Sequence, residues 1–478
     1  MRIYPYVMRR YQQLVDSLES LKLLSFEDLL KRAEQQEKRN WELENILSKI
    51  QNHNSDGKAV VATKNERKQR PFDFSKYKMR HVAIQFMYLG WGYSGLALQD
   101  PCHPVTVMGK LLECLWKCRL IEHRDGYDFA VCGRTDKGVS AIGQVVSLTV
   151  RSALVSGTGI VEDSGPNVSE RLNIPDEELD YVFMLNKALP SDIRILAWSP
   201  VSPDFNARFS CSQRSYQYFF PRSGLNLEAM SAAAHRLEGT HDFRNFCSSQ
   251  IDKESATFVR RIDNVHVRNL PVEDRISASW DDATAMCEVS VSASGFLYHQ
   301  IRCIVSLLVM IGRGYENPSV VDDLLDLSKT PAKPQYQMAG EIPLLLTGAE
   351  YPESAVNWQT SEAAQSELVR HLQLLWSEQA IRSTVIKAAL DHVEDRFHLD
   401  PHPLHYLDRI IPEGRWAKKS EGKGSHKALM KRPVEISVEE KMDRFVKKKK
   451  KSFAAEESSS PNKPLCASAP SPSATERE

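Results

Sequence analysis

The sequence has no apolar run of bilayer length. Its longest, Ile301 to Ile311 around Cys303 and Ser306, falls short of the roughly 18–20 residues a membrane span needs and reads as a core helix. It has no net charge either, with 62 Lys and Arg against 62 Asp and Glu, so the average field says nothing about an acidic partner and only local clusters can. It lacks a disulfide framework: nine cysteines are scattered singly, and Cys114 and Cys118 have no second Cys/His pair at the spacing of a structural zinc site. Without a secretory leader pattern ahead of them, those thiols are expected to be reduced, in a cytosolic or nuclear protein that holds no metal. At 42% hydrophobic and 26% charged residues, wholesale disorder and collagen-like architecture are excluded. The length of 478 residues allows two or three domains.

What is present divides the chain. Residues 1–50 carry Leu14, Leu18, Leu21, Leu29, Leu30, Leu43 and Leu47 at roughly helical intervals and predict a helical or coiled-coil arm, followed by a polar linker over 51–78. From 79 to 200, strand patterns (His81–Tyr88, Phe129–Cys132, Gln144–Val150, Ile193–Trp198) enclose helical ones (Val105–Leu120, Asp176–Leu189) in the order β-α-β-β-α-β. Residues 201–352 repeat that order, with strands at Ser215–Phe220, Asn264–Val267, Met286–Val291 and Pro343–Tyr351 and helices at Asn226–Leu237, Arg302–Ile311 and Ser319–Leu327. The fold class expected is therefore α+β: two tandem ferredoxin-like halves, their mixed and antiparallel sheets around a central cleft.

Gly157–Pro175 reads as a loop insertion, 353–400 as a helical extension and 453–478, rich in Ser, Pro and Ala, as disordered. Residues 401–452 hold 15 Lys and Arg against seven Asp and Glu, a basic tail suited to phosphate contact. Its five consecutive lysines, Lys447–Lys451, suit a solvated tail, a nuclear-import signal or an RNA contact equally.

Chemistry concentrates in Cys132-Gly133-Arg134-Thr135-Asp136-Lys137-Gly138-Val139-Ser140-Ala141, a polar, glycine-bounded loop between two strand patterns. Arg134 and Lys137 flank Asp136 and favour its carboxylate form. By composition alone, an Asp in such a turn is more often a turn cap than a catalyst. His241-Asp242 is no hydrolase base and orienter, because adjacent side chains diverge and no nucleophile elbow precedes them; a helix-to-loop corner is expected there.

Gly133–Ala141 resembles the signature loop of the TruA family of tRNA pseudouridine synthases. Tyr93-Ser94-Gly95, Ala207–Ser210 with Arg214–Tyr218, Gly239–Phe243 and Phe296–Arg302 match further motifs of that family in order, between about Arg80 and Tyr351. Arg70–Ser75, Trp91-Gly92-Tyr93, Arg244-Asn245, Lys333–Tyr336 and Lys427–Pro433 are similar to its eukaryotic branch, the tRNA pseudouridine(38/39) synthases.

The resemblance implies isomerisation of uridine to pseudouridine at positions 38 and 39 of the tRNA anticodon stem-loop, with no cofactor and with Asp136 as the essential carboxylate. It also implies that Arg302 pairs with Asp136, and that Tyr216 stacks on the target uracil and assists proton removal from C5. Leu344 and Leu346 would wall the base pocket, and Arg134, Lys137, Arg208 and Arg214 would contact RNA, Arg134 holding the flipped nucleotide. Two departures stand out: Pro343 and Leu345 replace the Gly and Tyr usual in the family, and Ala97 replaces a Trp of its first loop. A homodimer in the nucleus and cytoplasm is the expected assembly. The competing readings are a catalytically silent tRNA-binding protein on the same fold and a coiled-coil scaffold.

Overall fold

The computed structural model describes residues 72–99, 105–124, 126–162, 176–248, 257–270, 285–397, 426–437 and 440. The arm at 1–50, the linker up to 71, most of the insertion near Gly157–Pro175, and the tail outside 426–437 and 440 lie outside the described residues.

The first half runs β1 (Lys78–Tyr88), α1 (Val107–Lys117), β2 (Phe129–Val131), β3 (Ser140–Ser152), β4 (Ile160–Val161), α2 (Tyr181–Ala188) and β5 (Ile193–Pro200). Both helices are shorter than the periodicity predicts, and local chemistry sets their ends. Thr106 caps α1 by accepting from the Gly109 N–H, and just beyond Lys117 the chain leaves the helix at Arg119, whose φ is 56°. Asp180 caps α2 by accepting from the Phe183 N–H, and Pro190 stops it.

The second half runs β6 (Gln213–Pro221), α3 (Leu227–Ala234), β7 (Gly239–Asp242), β8 (Val259–Asn269), β9 (Met286–Ala293), α4 (Gln300–Gly312), α5 (Val320–Leu325) and β10 (Leu344–Glu350). His241 and Asp242 lie in the short strand β7 rather than at a corner, because Gly239 to Asp242 pair with β8 from Ile262 to Val259. All thirteen residues of α4 are buried, which accounts for its near-continuous apolar run.

Ten strands form one mixed sheet in the order β4-β1-β3-β10-β6-β9-β8-β7, with β5 also on β1 and β2 also on β3. Among the described strands the one parallel pairing is β3 with β10, Leu345 against Ser140 and Leu346 against Ala141; it joins the two halves. Each half has its own apolar core. Leu111, Leu115, Tyr181 and Leu185 pack under the first, and Met230, Phe243, Ile304 and Leu308 under the second. Tyr216 of β6 touches both cores.

Beyond β10, α6 (Glu362–Phe397) extends for 36 residues. It is tied down near its start, where Ser361 donates to Asp180 at 2.8 Å and His371 Nε2 lies 2.7 Å from the Ser191 carbonyl; Trp376, Ile381, Val385 and Ile386 are exposed. No described helix is long and apolar enough to cross a membrane. Within the tail expected to be basic and suited to phosphate contact, 426–437 straps onto the second half. Leu429 is fully buried there, its N–H donates to Glu316 at 2.7 Å, and the Gln335 N–H donates to the Pro433 carbonyl at 2.9 Å. The run Ala428-Leu429-Met430 between two lysines is too short to give a periodic signal, so this docking was not readable from the pattern.

Candidate active site

The loop 132–139 enters β3 at the seam between the halves, because Ser140 and Ala141 are the residues that β10 pairs with. The chain around Gly90 and Gly95 holds it. The Leu96 N–H donates to the Thr135 carbonyl at 3.1 Å and the Gly138 N–H donates to the Tyr93 carbonyl at 3.3 Å. A Cβ on Gly90 would stand 1.9 Å from the Val139 carbonyl oxygen, so only glycine fits that approach. Gly138 takes φ +81°, which carries the chain out of the loop and into β3.

Beneath the loop is a buried polar brace. Gln144, fully buried, donates from Nε2 to the Gly133 carbonyl at 2.9 Å, and the hydroxyls of Tyr88 and Thr135 are 2.6 Å apart. Burial pushes the Tyr88 phenol up to about 12, keeping it protonated as a hydrogen-bonding group.

The carboxylate of Asp136 is partly open, 24% exposed, and an imidazole and a guanidinium face its Oδ2. His299 Nε2 is 3.2 Å away and Arg302 Nη1 is 3.8 Å away. The expected pairing of Asp136 with Arg302 is thus present at ion-pair distance, but the shorter bonds of Arg302 go elsewhere. Its Nε donates to the Ala339 carbonyl at 2.7 Å and its Nη2 to Glu341 Oε2 at 2.8 Å. His299 and Glu341 are the residues the sequence reading assigned no role. His299 stood within the matched motif three places before Arg302, one helical turn, which was the available signal. Glu341 had none, since its contact with Arg302 spans 39 residues of sequence.

Tyr216 is half-buried, its ring edge-on to Phe296 with centroids 5.3 Å apart, and its hydroxyl would be 3.6 Å from a Cβ on Gly133. Burial pushes its phenol well above the ordinary value, with smaller upward pushes from Cys132, Tyr88 and Asp136. Asp136, Arg302 and Tyr216 therefore come together at the seam. Leu346 is paired with Tyr216 across β10 and β6, and Leu344 with Tyr218. Both leucines are buried, Leu344 in the second core and Leu346 in the first.

Among the expected RNA contacts, Arg134, Lys137 and Arg208 are exposed. Arg208 lies beside the ring of Phe209, itself 79% exposed. Arg214 is committed to backbone: it donates to the carbonyls of Cys132 at 3.0 Å, Ser294 at 2.5 Å and Arg208 at 2.6 Å, clamping the entry to the loop. Arg244 forms a two-bond pair with Asp242, at 3.1 and 2.9 Å, and Arg261 pairs with Asp263 at 3.1 Å. The rim beside Asp136 carries Tyr298, 47% exposed, and Ile342, 57% exposed, surfaces fit for a flat base rather than for a small ion.

A carboxyl group flanked by an imidazole and a guanidinium and open on one side, next to a phenol in an apolar seam, can serve as nucleophile or base toward a flat, uncharged ring. Residues 233–352 match the family model described as tRNA pseudouridine synthase. The chain belongs to the tRNA pseudouridine synthase family, TruA type.

Its relatives include proteins named tRNA pseudouridine(38/39) synthase. The human one is 43% identical over 329 residues, covering 68% of this chain and 66% of that protein, and the one from Bos taurus is 37% identical over 438 residues, 88% of each. A tRNA pseudouridine synthase A from Methanothermobacter thermautotrophicus is 30% identical over 327 residues, 68% of this chain and 100% of that protein.

Proposed function

We propose that this protein isomerises uridine to pseudouridine at positions 38 and 39 of the tRNA anticodon stem-loop, with Asp136 as the catalytic carboxylate. The observation that carries the reading is the carboxylate itself: partly open, at the seam of the halves, 3.2 Å from His299 and 3.8 Å from Arg302. The names of the relatives support the choice of positions. Pairing β5-β1-β3-β2 in one half and β10-β6-β9-β8 in the other supports reading each as ferredoxin-like, the last strand of each beside its first.

The reaction breaks the bond from N1 to C1′, turns the uracil in place and joins C5 to C1′. A proton leaves C5 and N1 gains one, so no electron or group carrier is consumed. Asp136 meets the flipped nucleotide either at the base or at the ribose. Tyr216 stacks on the uracil and assists removal of the C5 proton, and Leu344 and Leu346 back it. Arg134, exposed on the same loop, fills the place the base has left or grips its backbone. The family resemblance supports a second copy of this chain as partner, and Lys447–Lys451 supports a nuclear as well as a cytoplasmic location.

The test is site-resolved pseudouridine content in tRNA incubated with wild-type protein and with Asp136→Asn, which keeps side-chain size. Product at 38 or 39 with wild type and none with the variant is expected. No product from either protein, with tRNA bound, sinks the reading in favour of a silent tRNA binder.

A further inference from the structure

Two carboxylates face one guanidinium beside the aspartate loop, and they do not share it equally. Arg302 stands in the first turn of α4, its side chain only 10% exposed. Its Nη2 donates to Glu341 Oε2 at 2.8 Å and its Nε to the Ala339 carbonyl at 2.7 Å. The Ala339 N–H donates in return to the Arg302 carbonyl at 3.0 Å, so the segment ahead of β10 holds the arginine by its backbone and by its head. Asp136 is left with Nη1, 3.8 Å from its Oδ2 and beyond hydrogen-bond reach. Among the described residues no donor hydrogen-bonds the Asp136 carboxylate, and His299 too meets it only at an ion-pair distance of 3.2 Å.

Glu341 is itself fixed in place. Its carbonyl accepts from the Leu344 N–H at 3.0 Å, and the neighbouring Gly340 carbonyl accepts from the Tyr218 hydroxyl at 2.9 Å. Its stem lies against the aspartate loop, where a Cβ on Gly138 would come within 2.8 Å of its Cγ. A guanidinium favours two parallel bonds to one carboxylate. If Arg302 made that pair with Asp136, the lone pairs needed for attack or proton removal would be engaged by the protein and would have to be released in every turnover. At 3.8 Å the charge of Arg302 still acts on Asp136, because charges attract without a hydrogen bond.

We propose that Glu341 is a positioning residue: by holding Nη2 it keeps Arg302 beside Asp136 without bonding it, so that both oxygens of the aspartate stay available to the nucleotide. This rests on Asp136 being the catalytic carboxylate.

Two substitutions separate the hold on Arg302 from the fold. Glu341→Ala strands the Nη2 donor, and a buried N–H without an acceptor moves to the other carboxylate it faces, Asp136. Glu341→Gln keeps a side-chain carbonyl at the same reach, which can still accept from Nη2. With Glu341→Ala, kcat for pseudouridine formation should fall roughly 10- to 100-fold at a KM within about twofold of wild type, the loss expected when a hydrogen bond between charged groups must be broken before reaction. A crystal structure of that variant should place Arg302 within about 3.2 Å of Asp136. Glu341→Gln should recover most of the rate, and both variants should melt near wild type. A Glu341→Ala rate equal to wild type, beside an inactive Asp136→Asn, overturns the proposal and spares the role of Asp136. Equal losses in Glu341→Ala and Glu341→Gln, a loss carried by KM, or an Arg302 that stays 3.8 Å from Asp136 in Glu341→Ala also overturn it. An active Asp136→Asn overturns both readings.

Discussion

At the residue scale the site is a set of close approaches that tolerate little change. Gly90 is the clearest case: any Cβ there meets the Val139 carbonyl oxygen at 1.9 Å, so the turn and the loop must part. Gly90→Ala should cost roughly 3 kcal/mol of stability, the upper end of an overpacking strain, and should lower activity more than its thermal shift alone explains. Chemical denaturation alongside a pseudouridine assay checks it; a fully active, fully stable variant would refute the close approach. For Tyr216, removing the hydroxyl and removing the ring are different experiments. Tyr216→Phe should keep substrate affinity and lose kcat, whereas Tyr216→Ala should lose both, because the ring packs between the two cores. Asp136, Arg302 and Tyr216 were singled out in the sequence by the resemblance of their segments to family motifs; local chemistry alone favoured a turn cap at Asp136 and core packing at Tyr216. The contacts of His299 and Glu341 were not legible there, since a side chain's reach depends on backbone torsion and on chain partners far away in sequence.

At the element scale, a buried ion pair and a docked strap hold the elements in place. Arg80 of β1 pairs with Glu178 at 2.9 Å, both almost fully buried, and also donates to the Thr158 carbonyl at 2.8 Å. Burial by itself would raise Glu178, but bonds from the Ser152 hydroxyl, the Ala153 and Leu179 N–H groups and Arg80 outweigh it and hold its acid below the ordinary value of 4.5. Because the folded value is the lower one, the stabilisation is present in full above about pH 4.5 and drains away as the pH falls through the folded value. Glu178→Gln should lose about 3 kcal/mol at neutral pH by stranding Arg80, and its melting temperature should fall less steeply with acid than that of the wild type. Parallel acid slopes would defeat the assignment. The strap at 426–437 is the other tie: Leu429→Ala should cost about 3 kcal/mol, measured by denaturation, where a truly solvated tail would register no change.

At the scale of the whole molecule, the site lies where β3 and β10 join the two halves edge to edge. Leu346 pairs with Tyr216 on one side and Ala141 on the other, so it stands where the sheet of one half becomes that of the other. Leu346→Ala should cost about 2–5 kcal/mol and reduce the rate further than Leu344→Ala, because the cavity opens beneath both the aspartate loop and the tyrosine strand. Equal rates for the two variants, at matched stability, would argue against the seam as the organising feature. The order of the longer strands and helices, the glycine-bounded loop and the apolar α4 were determined by the sequence alone, because period, capping and turn chemistry act over a few residues, whereas the short β4 and β7 were not. Only the tertiary structure decided that β3 and β10 pair in parallel, that Arg302 leans on Glu341, that His299 reaches Asp136 and that Leu429 closes the second core. Each of those joins residues dozens of positions apart or more, or depends on a backbone torsion, and the free energy that selects them comes from packing no local pattern encodes.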